Sequence, residues 1–257
     1  MYLGLENGVA LVTAASRGIG RATAERLATE GMTVVAAARS AAGEPETVGT
    51  GSIVPFAHDL GDVEATAALV DTVVAAHGAV DVVVLNTPGP RIVPALDAEW
   101  DDWAAAHDTL LRPVVQLATA AGRVMLDKGA GAIILLSSTW VRQPASGGVL
   151  SAAYRSAASA FVKNLASELA PAGVRVNQIM PGATGTDRMR GIVEMKSDRN
   201  GTTVEEEIAR VVADIPAGRW AEASEIADAV AFLASARASF ITGTTLSVDG
   251  GAVRAAH

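Results

Sequence analysis

Val9-Ala10-Leu11-Val12-Thr13-Ala14-Ala15-Ser16-Arg17-Gly18-Ile19-Gly20 is the stretch on which the fold turns. Its first five residues carry no polar alternation, the mark of a strand covered on both faces. Small residues and two glycines follow, and an amphipathic helical run opens at Arg21. Such a turn points backbone N–H groups and the positive end of the helix dipole at an anion, with glycine wherever a Cβ would block close approach. A plain structural turn would use glycine too, so the weight falls on what surrounds it.

Outward from this stretch, short β-branched runs alternate with longer Ala-rich helical runs. Strands are predicted at 9–13, 33–38, 53–58, 80–85, 132–136, 175–180 and 245–248, and helices at 21–30, 63–77, 101–128, 152–170 and 224–235. That alternation specifies one α/β domain over 1–257, a doubly wound, seven-stranded parallel sheet with helices on both faces. Residues 187–219 form the one long polar stretch, read as an irregular substrate lid because it follows a strand end where such sheets bind ligands.

Composition narrows the function. The formal charge of −8 over 257 residues leaves no basic stripe for nucleic acid or anionic membranes. With no cysteine there is no disulfide, thiolate nucleophile or zinc–thiolate site. His58, His77 and His257 are scattered without ligand spacing, so no metal site is expected. The start, Met1-Tyr2-Leu3-Gly4-Leu5-Glu6, lacks a basic segment followed by an apolar core, and no apolar run nears the roughly 20 residues a bilayer requires. A cytoplasmic location is the expectation.

Ordered motifs along nearly the whole chain resemble the short-chain dehydrogenase/reductase family, a single-domain Rossmann fold. Its Thr-Gly-x-x-x-Gly-x-Gly stands here as Thr13 to Gly20, its aspartate after the third strand as Asp59-Leu60, and its Asn-Asn-Ala-Gly as Asn86-Thr87-Pro88-Gly89. Ser138 matches the serine closing the fifth strand, Pro181-Gly182 with Thr186 the motif after the sixth, and Asp249-Gly250-Gly251 the C-terminal block. The resemblance implies that Thr13, Ser16, Arg17, Gly18 and Ile19 hold the pyrophosphate and adenosine ribose of a dinucleotide, and that Asp59 and Leu60 flank its adenine. Asn86, Gly89, Pro181 and Gly182 would line it, and Thr186 would bond its carboxamide. Arg39 ends the second strand where an acidic residue would hold the 2′-hydroxyl of NAD, and with Arg17 it favours the 2′-phosphate of NADP(H). Two departures stand in this half: Ala14 replaces a glycine, and Pro88 removes an N–H.

The reactive half departs further. Where the family carries Tyr-x-x-x-Lys, this chain has Ser151-Ala152-Ala153-Tyr154-Arg155, and the family's asparagine position falls on Leu110. Residues 151 and 155 still share a helix face. A serine hydroxyl is far less acidic than a phenol, and an arginine does not shuttle protons at neutral pH. Tyr154, beside Arg155, is the candidate rescue, although its position is rotated from that of Ser151 and equally suits packing. Ser138, Ser151, Tyr154 and Arg155 are therefore the catalytic candidates. The pattern is similar to a divergent β-ketoacyl carrier-protein reductase-like subgroup with an atypical tetrad. His107, about one turn from Leu110, is a further acid–base candidate or else a surface residue, and Trp140 is a wall of the pocket or packing under the lid.

An NADP(H)-binding oxidoreductase acting on a small ketone or secondary alcohol, apolar or polyketide-like, is the resulting expectation, assembled as a homotetramer as the resemblance implies. Two other readings are a redox-neutral isomerase, lyase or cyclase that uses Arg155 and the serines as an oxyanion site, and a non-catalytic subunit paired with an active paralogue.

Overall fold

The computed structural model describes residues 2–255, so His257 lies outside the described residues. Strand β1 (Val9–Thr13) leads into helix α1 (Gly18–Thr29), β2 (Thr33–Ala38), β3 (Glu46–Val48), β4 (Gly51–Ala57), α2 (Val63–His77) and β5 (Val82–Leu85). Next come α3 (Trp100–Ala106), a π-helical turn (His107–Leu111), α4 (Arg112–Lys128), β6 (Gly131–Leu136), α5 (Val149–Leu169) and β7 (Val174–Pro181). Helices α6 (Asp187–Asn200), α7 (Val204–Ala213) and α8 (Ala223–Ala234) precede β8 (Thr245–Val248).

The sheet order is β3-β4-β2-β1-β5-β6-β7-β8. Seven strands run parallel, as predicted. The eighth, β3, pairs antiparallel with β4 at the edge. Its three residues include a charged Glu46 and only one apolar side chain, which suits a short, blunted edge and leaves no periodic signal to read. Side chains alternate between two cores: Ala10 and Val12 join the layer under α1 and α8, while Val9 and Leu11 join the layer under α2, α4 and α5. Coverage on both sides explains why these strands carry apolar residues at consecutive positions.

Two expectations need correction. The helix predicted over 101–128 is interrupted by the π turn at His107–Leu111. Pro113 supplies a reason: it has no N–H for the carbonyl four residues back, so the helix widens just before it. The stretch 187–219 is not irregular throughout, since α6 and α7 occupy most of it. Thr186 caps α6 by accepting from Met189 N, and Thr203 with Glu206 forms a reciprocal capping box on α7. Helix α6 carries few apolar residues, whereas α7 has an apolar stripe at Val204, Ile208, Val211 and Val212 behind its acidic first turn.

Chain direction splits at β1: β2 pairs on one side and β5 on the other. The crevice beyond the carboxyl ends of β1 and β5 is thus the topological switch point, where open α/β sheets hold ligands. No helix among the described residues is long and apolar enough to cross a membrane.

Candidate active site

Thr13 closes β1 and is buried. Its Oγ1 donates to Asn86 O at 2.6 Å and accepts from Asn86 N at 3.0 Å, stitching the glycine turn to the loop after β5. Asn86 Nδ2 donates to Ala14 O at 3.3 Å. These two predicted ligand residues therefore brace the crevice floor. Ala14 adopts φ 47°, a left-handed conformation that costs a non-glycine residue about 1–2 kcal/mol. A Cβ on Gly20 would lie 2.4 Å from Ala14 O and 2.7 Å from Asn86 Nδ2, so only glycine fits there.

Arg17 is the N-cap residue of α1, with an extended backbone and no side-chain cap, and the first turn holds no acidic residue. The leading N–H groups of α1 are left with the positive dipole end facing the crevice, as an anion requires. Ser16, Arg17 and Arg39 are exposed around this turn, and neither Arg17 nor Arg39 pairs with a carboxylate among the described residues. A cavity of about 240 Å³ opens beside them, lined in part by Ser16, Arg21, Ser40, Glu44 and Glu46. Glu46 is held by Arg21 at 2.6 Å, which lowers its carboxyl below the ordinary range. Asp59 is exposed and accepts from Gly61 N at 2.9 Å, whereas the Leu60 side chain is buried in the core cluster that includes Leu69.

On the far wall, Thr186 approaches the turn: a Cβ on Gly18 would sit 3.2 Å from Thr186 Cγ2. Pro181 is buried at the end of β7, and Gly182 packs on the Asp249 backbone and donates to Val248 O at 2.9 Å, so this pair anchors β8. Gly89 is covered. Arg188, on the first turn of α6, lays its guanidinium on that glycine and donates to Gly89 O at 3.2 Å and Pro90 O at 3.0 Å. Sequence reading missed Arg188; its only signal was a cation two residues past Thr186.

At the reactive end, Ser138 follows β6 and its Oγ accepts from Trp140 N at 3.2 Å, leaving its proton free to donate elsewhere. Ser151 and Arg155 stand one turn apart on α5, both buried. Arg155 donates to Leu136 O at 2.9 Å, two residues before Ser138. Burial, aided by the charge of Arg188, pushes its guanidinium down to about 10. Tyr154 takes a different direction. Its ring packs edge-on against Trp103 and His107, each at 5.9 Å between centroids, beside Val93, Leu110 and Leu150. Its hydroxyl bonds to none of Ser138, Ser151 or Arg155, so the packing alternative describes its place. His107 itself pairs with Asp108 at 2.9 Å on the helix exterior. Trp140 lies flat against Gly148, where a Cβ would come within 2.4 Å of the ring.

Strand order and glycine turn form a dinucleotide-type crevice, and Arg155, one turn from Ser151, is tied to the strand end that carries Ser138. The chain belongs to the short-chain dehydrogenase/reductase family, within a group of oxidoreductases: the family model described as "Enoyl-(Acyl carrier protein) reductase" matches residues 13–253. It is 36% identical over 252 residues to the 3-oxoacyl-[acyl-carrier-protein] reductase FabG of Vibrio harveyi, covering 97% of this chain and 98% of that protein. It is 35% identical over 263 residues to the short-chain reductase protein NovJ of Streptomyces niveus, covering 96% and 94%. Among solved structures, an actinorhodin polyketide ketoreductase variant with NADPH superposes with a TM-score of 0.89 at 31% identity, covering 98% of this chain and all of that one.

Proposed function

We propose that this protein is an NADP(H)-dependent oxidoreductase that reduces a ketone to a secondary alcohol, or runs the reverse, on a small substrate with an apolar or polyketide-like body. The observation that carries the reading is the convergence of Ser138, Ser151 and buried Arg155 at the end of a crevice whose other end is the uncapped N-terminus of α1. The cofactor fits on the structure's own terms. At Gly18 a Cβ would crowd Thr186 Cγ2 at 3.2 Å, on the wall assigned to the carboxamide, and Thr87 Oγ1, next in the chain to Asn86, is buried without a hydrogen-bond partner. Arg17 and Arg39 would hold the 2′-phosphate, the N–H groups of α1 the pyrophosphate, and Thr186 the carboxamide. When bound, the nicotinamide supplies or receives the hydride.

The chain's own residues do the rest. Ser138 Oγ, accepting from Trp140 N with one lone pair, donates a hydrogen bond to the substrate oxygen. Ser151 offers a second hydroxyl, and the Arg155 guanidinium stabilises the negative charge that grows on that oxygen as the carbon is reduced. The oxygen takes its proton through Ser151 or water, a weaker acid than a phenol, so positioning supplies most of the rate and turnover is slow for the family. Trp140 walls the apolar part of the substrate.

The test is titration of the purified protein with NADPH and NADH, read by quenching of its four tryptophans, followed by a ketone screen read at the nicotinamide absorbance. NADPH should bind more tightly than NADH. Removing Arg17 and Arg39 together should cost that preference about tenfold or more. Failure to bind either nucleotide, or turnover with no absorbance change, would overturn the proposal in favour of redox-neutral chemistry on the same oxyanion site.

A further inference from the structure

The first turn of α6 touches both sides of the switch point. Thr186, its cap, meets the glycine turn after β1, since a Cβ on Gly18 would sit 3.2 Å from Thr186 Cγ2. Two residues on, Arg188 donates to Gly89 O at 3.2 Å and Pro90 O at 3.0 Å, in the loop after β5. That loop is itself fixed, because Asn86 is bonded to Thr13 and Val93 N donates to Gly147 O at 3.0 Å. The lid is rooted beside β7, where Gly185 N donates to Ala221 O at 2.8 Å and Ala221 N to Ala183 O at 2.9 Å. Little else holds it. Helices α6 and α7 pack chiefly on each other, and among the described residues the bonds of Arg188 are the only hydrogen bonds that residues 187–213 make outside 183–221. Gly89 is shaped to this contact. Its backbone is not left-handed, so no conformation demands glycine there. A Cβ at that position would come within 2.1 Å of Arg188 Cζ and Nη2, so the missing side chain is the seat of the guanidinium.

We infer that Arg188, seated on Gly89 and bonded to the Gly89 and Pro90 carbonyls, is the latch that holds α6 down over the crevice and sets how long the nucleotide stays there. This deepens the proposed oxidoreductase reading and rests on it for the identity of the retained ligand. Arg188 acts through the lid and is a positioning residue. Seated, it keeps the first turn of α6, and with it Thr186, against the glycine turn. Released, it leaves α6 attached only at its root and at α7, and the crevice opens to solvent. A segment with so few outside bonds opens locally well before the rest of the domain unfolds. Two hydrogen bonds from a charged donor are enough to reduce the open population about tenfold or more. Their acceptors are neutral carbonyls, weaker partners than a carboxylate, so the latch still opens for exchange of ligand.

The test begins with the full chain free of nucleotide. Hydrogen exchange of the α6 amides should quicken about tenfold or more in Arg188→Gln, and Arg188→Lys should retain part of the protection, while β6 exchanges as in the parent. Gly89→Ala releases the latch independently: its methyl displaces the flexible end of Arg188 and leaves the charge of the chain unchanged. It should quicken the same amides, and adding it to Arg188→Gln should bring no further change. Each protein is then loaded with NADPH and chased with excess NADP⁺, with release followed by NADPH fluorescence. Release should be about tenfold or more faster in Arg188→Gln than in the parent. Unchanged α6 exchange in both single variants overturns the inference, as do effects of the two substitutions that simply add. So does NADPH release at the parent rate despite faster exchange, or a slower association in place of a faster release, since Arg188 would then serve the cofactor phosphates. Failure of the oxidoreductase reading looks different: NADPH does not bind the parent, which refutes a role in nucleotide retention, while exchange in the nucleotide-free chain still decides whether Arg188 latches the lid.

Discussion

Ala14 holds a conformation that its Cβ resists, at a place where the family has glycine. Ala14→Gly should therefore stabilise the protein by about 1 kcal/mol, the relief of left-handed strain less the extra freedom gained by the unfolded chain. For a domain of this size the melting temperature should rise by about 2–4 °C, and an unchanged or lower value would refute the argument. His58 makes a pH-dependent contribution. It is buried against Thr66, with Nε2 3.0 Å from the hydroxyl, and burial outweighs Asp62 and Asp59 to lower its pKa from the ordinary 6.5. The unfolded chain thus takes the proton first as pH falls: stability is full above about 6.5 and is lost as pH drops through the lower folded value. Chemical denaturation at pH 7.5 and 5.5 should show a smaller loss for His58→Gln than for the parent. At this scale the sequence was legible wherever a residue's role is set by its neighbours in the chain. The glycine turn joins β1 to α1, Ser138 follows β6, and Ser151 and Arg155 lie one turn apart on α5. Tyr154 differs, because which way its ring turns depends on a helix packed from far earlier in the chain: it meets Trp103.

Helix α6 shows why an element of low apolar content escapes periodicity, while α7 carried a helical period at Val204, Ile208, Val211 and Val212. Both also carried polar signals: Thr186 and Thr203 as caps, with Gly201 in a left-handed conformation between the helices. What holds this pair together is Glu207, buried although charged, which accepts from Asn200 Nδ2 at 3.0 Å and Thr202 Oγ1 at 2.7 Å and also pairs with Arg210. Those hydrogen bonds, first from Asn200 and then from Thr202, keep its carboxyl below the usual range. Glu207→Ala should leave Asn200 and Thr202 without their acceptor and loosen the α6–α7 turn. Limited proteolysis should then cut near Gly201 faster than in the parent, and KM should rise more than kcat falls. Unchanged cleavage would show that the helices are held some other way. The π turn is the other element-scale departure. Its cause, Pro113 inside a helical run, was visible in the sequence, but its position four residues after Thr109 acquires meaning only once the run on both sides is known to be helical.

For the molecule as a whole, alternation of strands and helices was enough to give a doubly wound parallel sheet with helices on both faces, since right-handed crossovers and covered faces leave few other arrangements; the order of the strands was not read from it. Assembly lies beyond that logic. The resemblance to the family implies four copies, and Phe240, just before β8, is fully exposed and is the side chain through which contact at that edge is tested. We expect sedimentation to show a tetramer and Phe240→Lys to shift it toward smaller species; a monomeric parent would refute this.

The double hydrogen bond between Thr13 and Asn86 has a consequence in time rather than space. It fastens the two sides of the switch point, so the gap between them has a preset width and nothing there has to wait for a visitor. We expect adaptation to fall to α6 and α7, so that arrival and enclosure are separate events: a fast, concentration-dependent encounter with a ready-made floor, then a slower first-order settling of the roof whose rate no longer depends on how much ligand is present.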